Sequence, residues 1–356
     1  MRLVLFALAA IVVAVIGRSA MVVTSVAGVF RDLPDIDIAS CRRIDVAPGT
    51  EDAEIDPDLG VAFVGAADRR AWYNAGKPMN ATSNGIYAIS LDGSDAVRRV
   101  SPEGFADFHP HGISLWRGPD GGKRLFVVNH PTTGEEVVEI FAVGDDASLT
   151  HLTSVSFPEM YSPNDVVAVG PEAFYATNDR RHEDGPMALA ELYLGLPLTG
   201  VVYWDGKAGR DVAGGLMYAN GINKSPDGDL IYVAEFLDQT MQVYRRDPTT
   251  GDLSHVKAIN VATGADNLSV DGDGIVWIGA HPKALEFQKH AEDASHVSPS
   301  QVVRVDPASG DVRTAFVSKA GEINGSSVGA VWGDALIVGA VFDGHVMACS
   351  LEALAG

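Results

Sequence analysis

The chain has 356 residues and carries 47 acidic against 26 basic side chains, a net charge of −21. That balance excludes nucleic acid as a partner, because its phosphates would be repelled; it suits solubility, or the collection of a cation at one point of the fold. The length allows two average domains or one large β architecture, and 38 glycines suit many short strands joined by tight turns.

The first predicted element is apolar. Leu3–Ile16 runs without a polar residue behind Arg2. As a helix this run spans about 21 Å, short of a bilayer crossing, which fits the apolar part of an export signal. Ser25 and Ala27 offer a small-residue cleavage point, yet apolar character resumes at Met21–Val23, which fits a retained anchor. Residues 1–30 are therefore expected to be a signal or an anchor, and residues 31–40, with Pro34, a linker. Residues 41–356 read as one domain with no low-complexity break.

Within that domain a pattern recurs six times. A short polar pair or small-polar stretch stands ahead of a turn and a run of β-formers. The copies begin at Glu51-Asp52, His111-Gly112, Asn164-Asp165, Asn220-Gly221, Asp266-Asn267 and Ser326-Ser327, spaced by 60, 53, 56, 46 and 60 residues. The runs that follow are VAFVG, RLFVVN, AFYATN, LIYVAE, IVWIGA and ALIVGA. Six equivalent strand units predict an all-β, six-bladed β-propeller, with each polar pair opening an innermost strand at a common axis. Asp92-Gly93, Pro119-Asp120-Gly121, Asp205-Gly206, Pro226-Asp227-Gly228 and Asp271-Gly272 supply hairpin turns. Two segments depart from the β pattern. Met187–Leu196 and Lys283–Ala294 have helix formers at helical spacing, and are expected as short helices over one mouth of the tunnel. They are either surface decoration or the wall of a site. The apolar Leu192–Leu198 stretch could face a membrane.

The polar pairs carry the chemistry. Glu51, Asn164, Asn220, Asp266 and Asn267 take corresponding places in four repeats, with Asp52 and Asp165 as neighbours. Adjacent residues of an extended strand point opposite ways, so each pair can supply one ligand to each of two stacked ions. Carboxylate and amide oxygens without cysteine favour a hard cation such as Ca²⁺, and the absence of a compact His/Cys set disfavours zinc. His111 and His130 lie 19 residues apart, a distance that an antiparallel hairpin can close, and imidazole is the natural base near neutral pH. His281 is a third candidate for the same mouth. Cys41 and Cys349 stand near the two ends of the ring, where a bond would latch closure; two buried free thiols are the other reading. A disulfide implies an oxidising, exported location. There is no Gly-x-Ser-x-Gly elbow and no Gly-rich phosphate loop.

The stretches FHPHGISLW, SPNDVVAVGPEAFYATND, YANGINKSPDGDLIYVAE, ADNLSVDGDGIVWIGAHP and GSSVGAVWGDALIVGAVF resemble those of the serum paraoxonase/arylesterase family, as does TEDAEIDPDLGVAF. They occur in the family's order between about Cys41 and Leu351. The resemblance implies two calcium ions in the central tunnel. Glu51, Asn164, Asn220, Asp266 and Asn267 match the ligands of a catalytic calcium. Asp52, Asp165 and the backbone carbonyl of Ile113 match those of a structural one. His111 and His130 match the family's histidine dyad, and Cys41 and Cys349 its closing disulfide. Many members retain an N-terminal apolar segment. The chain departs from the pattern at Ala280, where the family has a free cysteine, around Asp343–His345, and across 67–84, where it has a flexible active-site loop. What the resemblance implies is an exported, calcium-dependent hydrolase of lactones and aryl esters. Tyr218, His281 and Phe342 would be on its substrate wall. A membrane or lipid surface could meet the N-terminal segment and Leu192–Leu198. The other readings are a propeller hydrolase of sugar lactones or phosphotriesters, and a non-catalytic propeller that binds proteins.

Overall fold

The turns fall where their chemistry places them. Gly93, Gly121, Gly206 and Gly228 take positive φ, each in a connection between antiparallel strands. The structure, a computed structural model, describes residues 2–77, 79–105 and 107–355. Met1 of the N-terminal segment and Pro78 of the 67–84 loop lie outside that set, as do the side chains of residues 2–5 and 7–11.

Among the described residues the strands form six four-stranded antiparallel sheets. Their innermost strands are Thr50–Asp56, Pro110–Arg117, Pro163–Ala168, Ala219–Lys224, Gly264–Val270 and Ser326–Trp332. Each touches the first strand of the next sheet, and the sixth touches the first, so the ring closes as a six-bladed propeller. The core is divided accordingly. Phe63, Leu115, Leu125 and Phe141 fill the gap between blades 1 and 2, and comparable clusters fill every other gap. Burial between sheets, rather than within one, holds the blades together.

Among the described residues five helices decorate the ring: α1 (Arg2–Ala27), α2 (Arg69–Ala75), α3 (Gly185–Leu194), α4 (Ala284–Glu292) and α5 (Leu351–Ala355). α2, α3 and α4 each join the second and third strands of a blade. That connection leaves from the face where the innermost strands begin, so the three helices gather over one mouth. α3 and α4 occupy the two segments with helical spacing, and α2 was not anticipated. α1 continues through Met21–Val23 well beyond the apolar run, to about 39 Å at 1.5 Å per residue. Arg18 donates from Nε to Leu194 O at 2.9 Å and from Nη2 to Gly195 O at 3.0 Å. A cation at the carboxyl end of α3 complements the helix dipole. Val13, Ile16 and Met21 of α1 and Leu189, Leu192 and Leu198 around α3 are exposed. Among the described residues no helix is long and apolar enough to cross a membrane.

The last blade is completed by the start of the domain. Arg42–Asp45 pairs antiparallel with His345–Ser350, Arg42 opposite Ala348 and Asp45 opposite His345. Next to that ladder Cys41 and Cys349 form a disulfide, with Cα atoms 4.2 Å apart. Chain entropy for a loop of 308 residues assigns the bond about 5–6 kcal/mol. Non-reducing peptide mapping is therefore expected to recover the two cysteines in one linked species, and the Cys41→Ser/Cys349→Ser protein to unfold at markedly lower denaturant. Full alkylation of both thiols without reduction would contradict the latch.

Candidate active site

All six innermost strands break register at the same place. The shifts fall between Thr50 and Asp52, Pro110 and Ile113, Pro163 and Val166, Ala219 and Ile222, Ala265 and Leu268, and Ser326 and Val328. Each interval contains or adjoins one of the polar pairs. A bulge re-aims side chains that strict alternation would send to opposite faces. Both members of a pair can thus turn inward, and Glu51, Asp52, Asn164, Asp165, Asp266 and Asn267 are all buried. The blades meet closely here. A Cβ at Gly112 would lie 2.1 Å from Asp165 Oδ1, and one at Gly221 would lie 2.5 Å from Asp266 O. Glycine is required at both points, which is why it is the second member of those two pairs.

The amide nitrogens of the mouth-side set have partners. Asn164 Nδ2 donates to Asp179 Oδ2 at 3.3 Å, Asn220 Nδ2 to Ala265 O at 3.5 Å, and Asn267 Nδ2 to Glu51 Oε1 at 2.8 Å. Their oxygens have none. Asn164 Oδ1, Asn220 Oδ1, Asn267 Oδ1 and Glu51 Oε2 are buried without a hydrogen-bond partner. A buried polar atom left unpaired costs free energy, so four of them at the bulges of blades 1, 3, 4 and 5 mark a place built for a ligand that takes oxygen lone pairs. This donor set fits a hard cation. Among the described residues no group of three His, Cys, Asp or Glu side chains is placed to hold a metal; here three of the five predicted donors are asparagines. The fifth donor, Asp266, accepts from His281 Nε2 at 2.7 Å. His281 is thus buried behind a carboxylate, with its ring 4.0 Å from that of Phe287.

Asp52 and Asp165 hold neighbouring blades together. Asp52 Oδ2 accepts from Ile113 N and Asp165 Oδ2 accepts from Ile222 N, both at 2.7 Å. Ile113 thus meets Asp52 through its amide. Burial pushes both carboxyls well above the usual carboxylate range, and nearby negative charge adds to it: Glu51 beside Asp52, and Asp52 beside Asp165.

The histidines meet as the hairpin spacing suggested. His111 Nδ1 lies 2.8 Å from His130 Nε2, and His130 Nδ1 lies 2.6 Å from Glu136 Oε2. With Glu136 Oε2 as the acceptor, His130 carries its proton on Nδ1. Its Nε2 then accepts from His111 Nδ1–H, which leaves the Nε2 lone pair of His111 free. That nitrogen stands 3.5 Å from Glu51 Oε1. Burial lowers the pKa of His111, only partly opposed by Glu51, which keeps the ring neutral. Burial would raise the pKa of Glu51, whereas the nearby Arg69 guanidinium, the Asn267 hydrogen bond and any proton taken up by His111 lower it.

Helices α2 and α4 roof this arrangement. Trp72 packs on His130 with ring centroids 5.2 Å apart, and Phe342 lies 5.4 Å from Phe287 with Arg70 stacked above it. Arg70 also donates to His290 O, tying the two helices together. Tyr218 takes a positive φ of 65° beside Asn220, its ring 5.6 Å from Phe236. Arg69, Trp72, Glu136 and Phe287 were not anticipated. The first two lie in the 67–84 segment, whose mismatch with the family pattern was the signal available for them.

Comparisons with known proteins agree with this architecture. The family profile described as Arylesterase matches residues 86–351. Serum paraoxonase/arylesterase 2 of Gallus gallus is 35% identical over 320 residues, covering 88% of this chain and 89% of the relative. Serum paraoxonase/arylesterase 1 of Homo sapiens is 33% identical over 324 residues, with the same coverage. Among solved structures, a luciferin-regenerating enzyme matches with a TM-score of 0.56 at 13% identity, over 87% of this chain and 94% of that one. Regucalcin of Agrobacterium tumefaciens, a calcium-binding protein, matches at 0.51 and 15%, over 86% and 92%. The two structures share the fold. With the sequence likeness spanning nearly nine-tenths of both chains, the protein belongs to the serum paraoxonase/arylesterase family.

Proposed function

We propose that this protein is a calcium-dependent hydrolase of lactones and aryl esters. The observation that carries the reading is the set of four unpartnered buried oxygens beside the His111–His130 pair. Glu51, Asn164, Asn220, Asp266 and Asn267 hold the mouth-side ion. Asp52, Asp165 and the carbonyl of Ile113 hold a second ion deeper in the tunnel. When bound, calcium supplies a Lewis acid that polarises the ester carbonyl and offsets the charge developing on its oxygen.

The chain's own residues do the rest. His111 Nε2 takes a proton from the attacking water, and His130 keeps it in the tautomer that leaves Nε2 free. Glu136 orients His130 and offsets the positive charge that the pair acquires. His281 fixes the Asp266 carboxylate through its 2.7 Å contact. Trp72 and Phe287 exclude bulk water, and Tyr218 and Phe342 supply apolar wall for the acyl chain. The domain that does this is residues 41–356. The disulfide supports an oxidising, non-cytoplasmic compartment for it. There the exposed apolar residues of α1 and of Leu192–Leu198 are the surface for lipid contact.

Hydrolysis of phenyl acetate and of a long-chain lactone tests the reading. Both substrates are expected to turn over with calcium present, to be spared once a chelator has stripped the metal, and to turn over again on re-addition. Undiminished rates in protein shown by elemental analysis to be metal-free would overturn it.

A further inference from the structure

Four buried carboxylates, Glu51, Asp52, Asp165 and Asp266, crowd the tunnel. A guanidinium stands beside Glu51. Arg69 opens α2, whose start is fixed by Asp68 accepting from Ala71 N. Its side chain is only 8% exposed and reaches down to the bulges of blades 1 and 2. Nη1 donates to Gly49 O at 3.3 Å and Nη2 to Pro110 O at 2.8 Å. Nη2 also lies 3.6 Å from Glu51 Oε2, one of the oxygens without a hydrogen-bond partner.

Two features make this more than a packing contact. First, a buried guanidinium stays charged and is costly to desolvate unless opposite charge surrounds it. Second, it is anchored by backbone carbonyls rather than by Glu51. An arriving cation that draws Glu51 toward itself does not release Arg69. The arginine and the ion must then face the same carboxylates at once.

We infer that Arg69 is a resident counter-charge of the metal tunnel, which stabilises the ring while it is empty of metal and holds the calcium affinity of the mouth-side site below what its oxygen donors alone would give. The two effects are linked, since whatever favours the empty state weakens binding by the same factor. The inference rests on the calcium reading above, and gives the protein a way to fold before the ion arrives.

Calcium titration of the full chain, by calorimetry and by competition with a chelating dye, tests it alongside melting temperatures with calcium and with excess chelator. Arg69→Met keeps much of the volume and removes the charge. It is expected to bind calcium on the order of tenfold or more tighter, and to melt well below wild type in chelator but near it in calcium. Arg69→Lys, which keeps the charge, is expected to lie closer to wild type in both measurements. Unchanged or weaker calcium binding by Arg69→Met overturns the inference. So does an equal loss of stability with and without calcium, or failure of Arg69→Met to fold even with calcium, either of which assigns Arg69 to loop packing. A wild-type chain that binds no calcium overturns instead the metal reading beneath it.

Discussion

Replacing His111 by Gln is expected to lower lactone hydrolysis on the order of 10²–10⁴-fold while calcium content stays near that of wild type. Glutamine retains a side-chain amide that can face His130 but cannot take a proton at neutral pH. The oxygen donors of blades 1, 3, 4 and 5 are untouched, so a residual rate persists. The pH profile provides the second readout. On the proposed mechanism the active form has neutral His111, and burial lowers its pKa from the ordinary 6.5. The wild-type rate should therefore climb with rising pH through a midpoint below that value, then level off. The His111→Gln protein should lack that limb. Asn267→Ala provides the contrast. It removes an unpartnered donor oxygen and the hydrogen bond to Glu51, so calcium affinity and every hydrolytic activity should fall together. Full lactonase activity in the His111 variant with an unchanged profile would exclude the histidine as base, and Asp266 would become the better candidate.

Chelation is expected to lower the melting temperature as well as the activity. A ligand that binds only the folded state adds about 4 kcal/mol at a thousand times its dissociation constant. For a chain of this size that corresponds to a shift of roughly 5 °C. The physical cause lies in Asp52 and Asp165. Both are buried, and without an ion Glu51 adds to the cost of ionising Asp52 as Asp52 adds to that of ionising Asp165. Elemental analysis must confirm that the metal has left. An unchanged melting temperature in that preparation would remove the structural ion from the account.

The ring was legible because the polar pair, the turn and the β-run recur in phase, and each pair falls at or beside a bulge. The helices were legible in proportion to their length. Met187–Leu196 and Lys283–Ala294 overlap α3 and α4, whereas Arg69–Ala75 is a seven-residue helix with too few turns to show a period. Simple alternation sent the two members of each pair to opposite sides. The bulges that bring them inward depend on neighbouring blades approaching at Gly112 and Gly221, a property of the assembled ring rather than of one strand. Glu136 stands in a polar stretch with no motif of its own, and only the fold brings it to His130. The full reach of α1 was hidden by Gly17-Arg18-Ser19, because the partner of Arg18 is a helix end 176 residues away.

The borrowed strand of the last blade has a consequence for biosynthesis. Blades 1 to 5 are each built from a continuous stretch of chain and can pair as they emerge. The sixth cannot, because Arg42–Asp45 must wait for His345–Ser350, made about 300 residues later. Glu51 and Asn267 are likewise brought together only when the ring shuts. A nascent chain, or one truncated before blade 6, therefore has the residues of the candidate site but not the site, and on the calcium reading it loads metal only once its synthesis is finished.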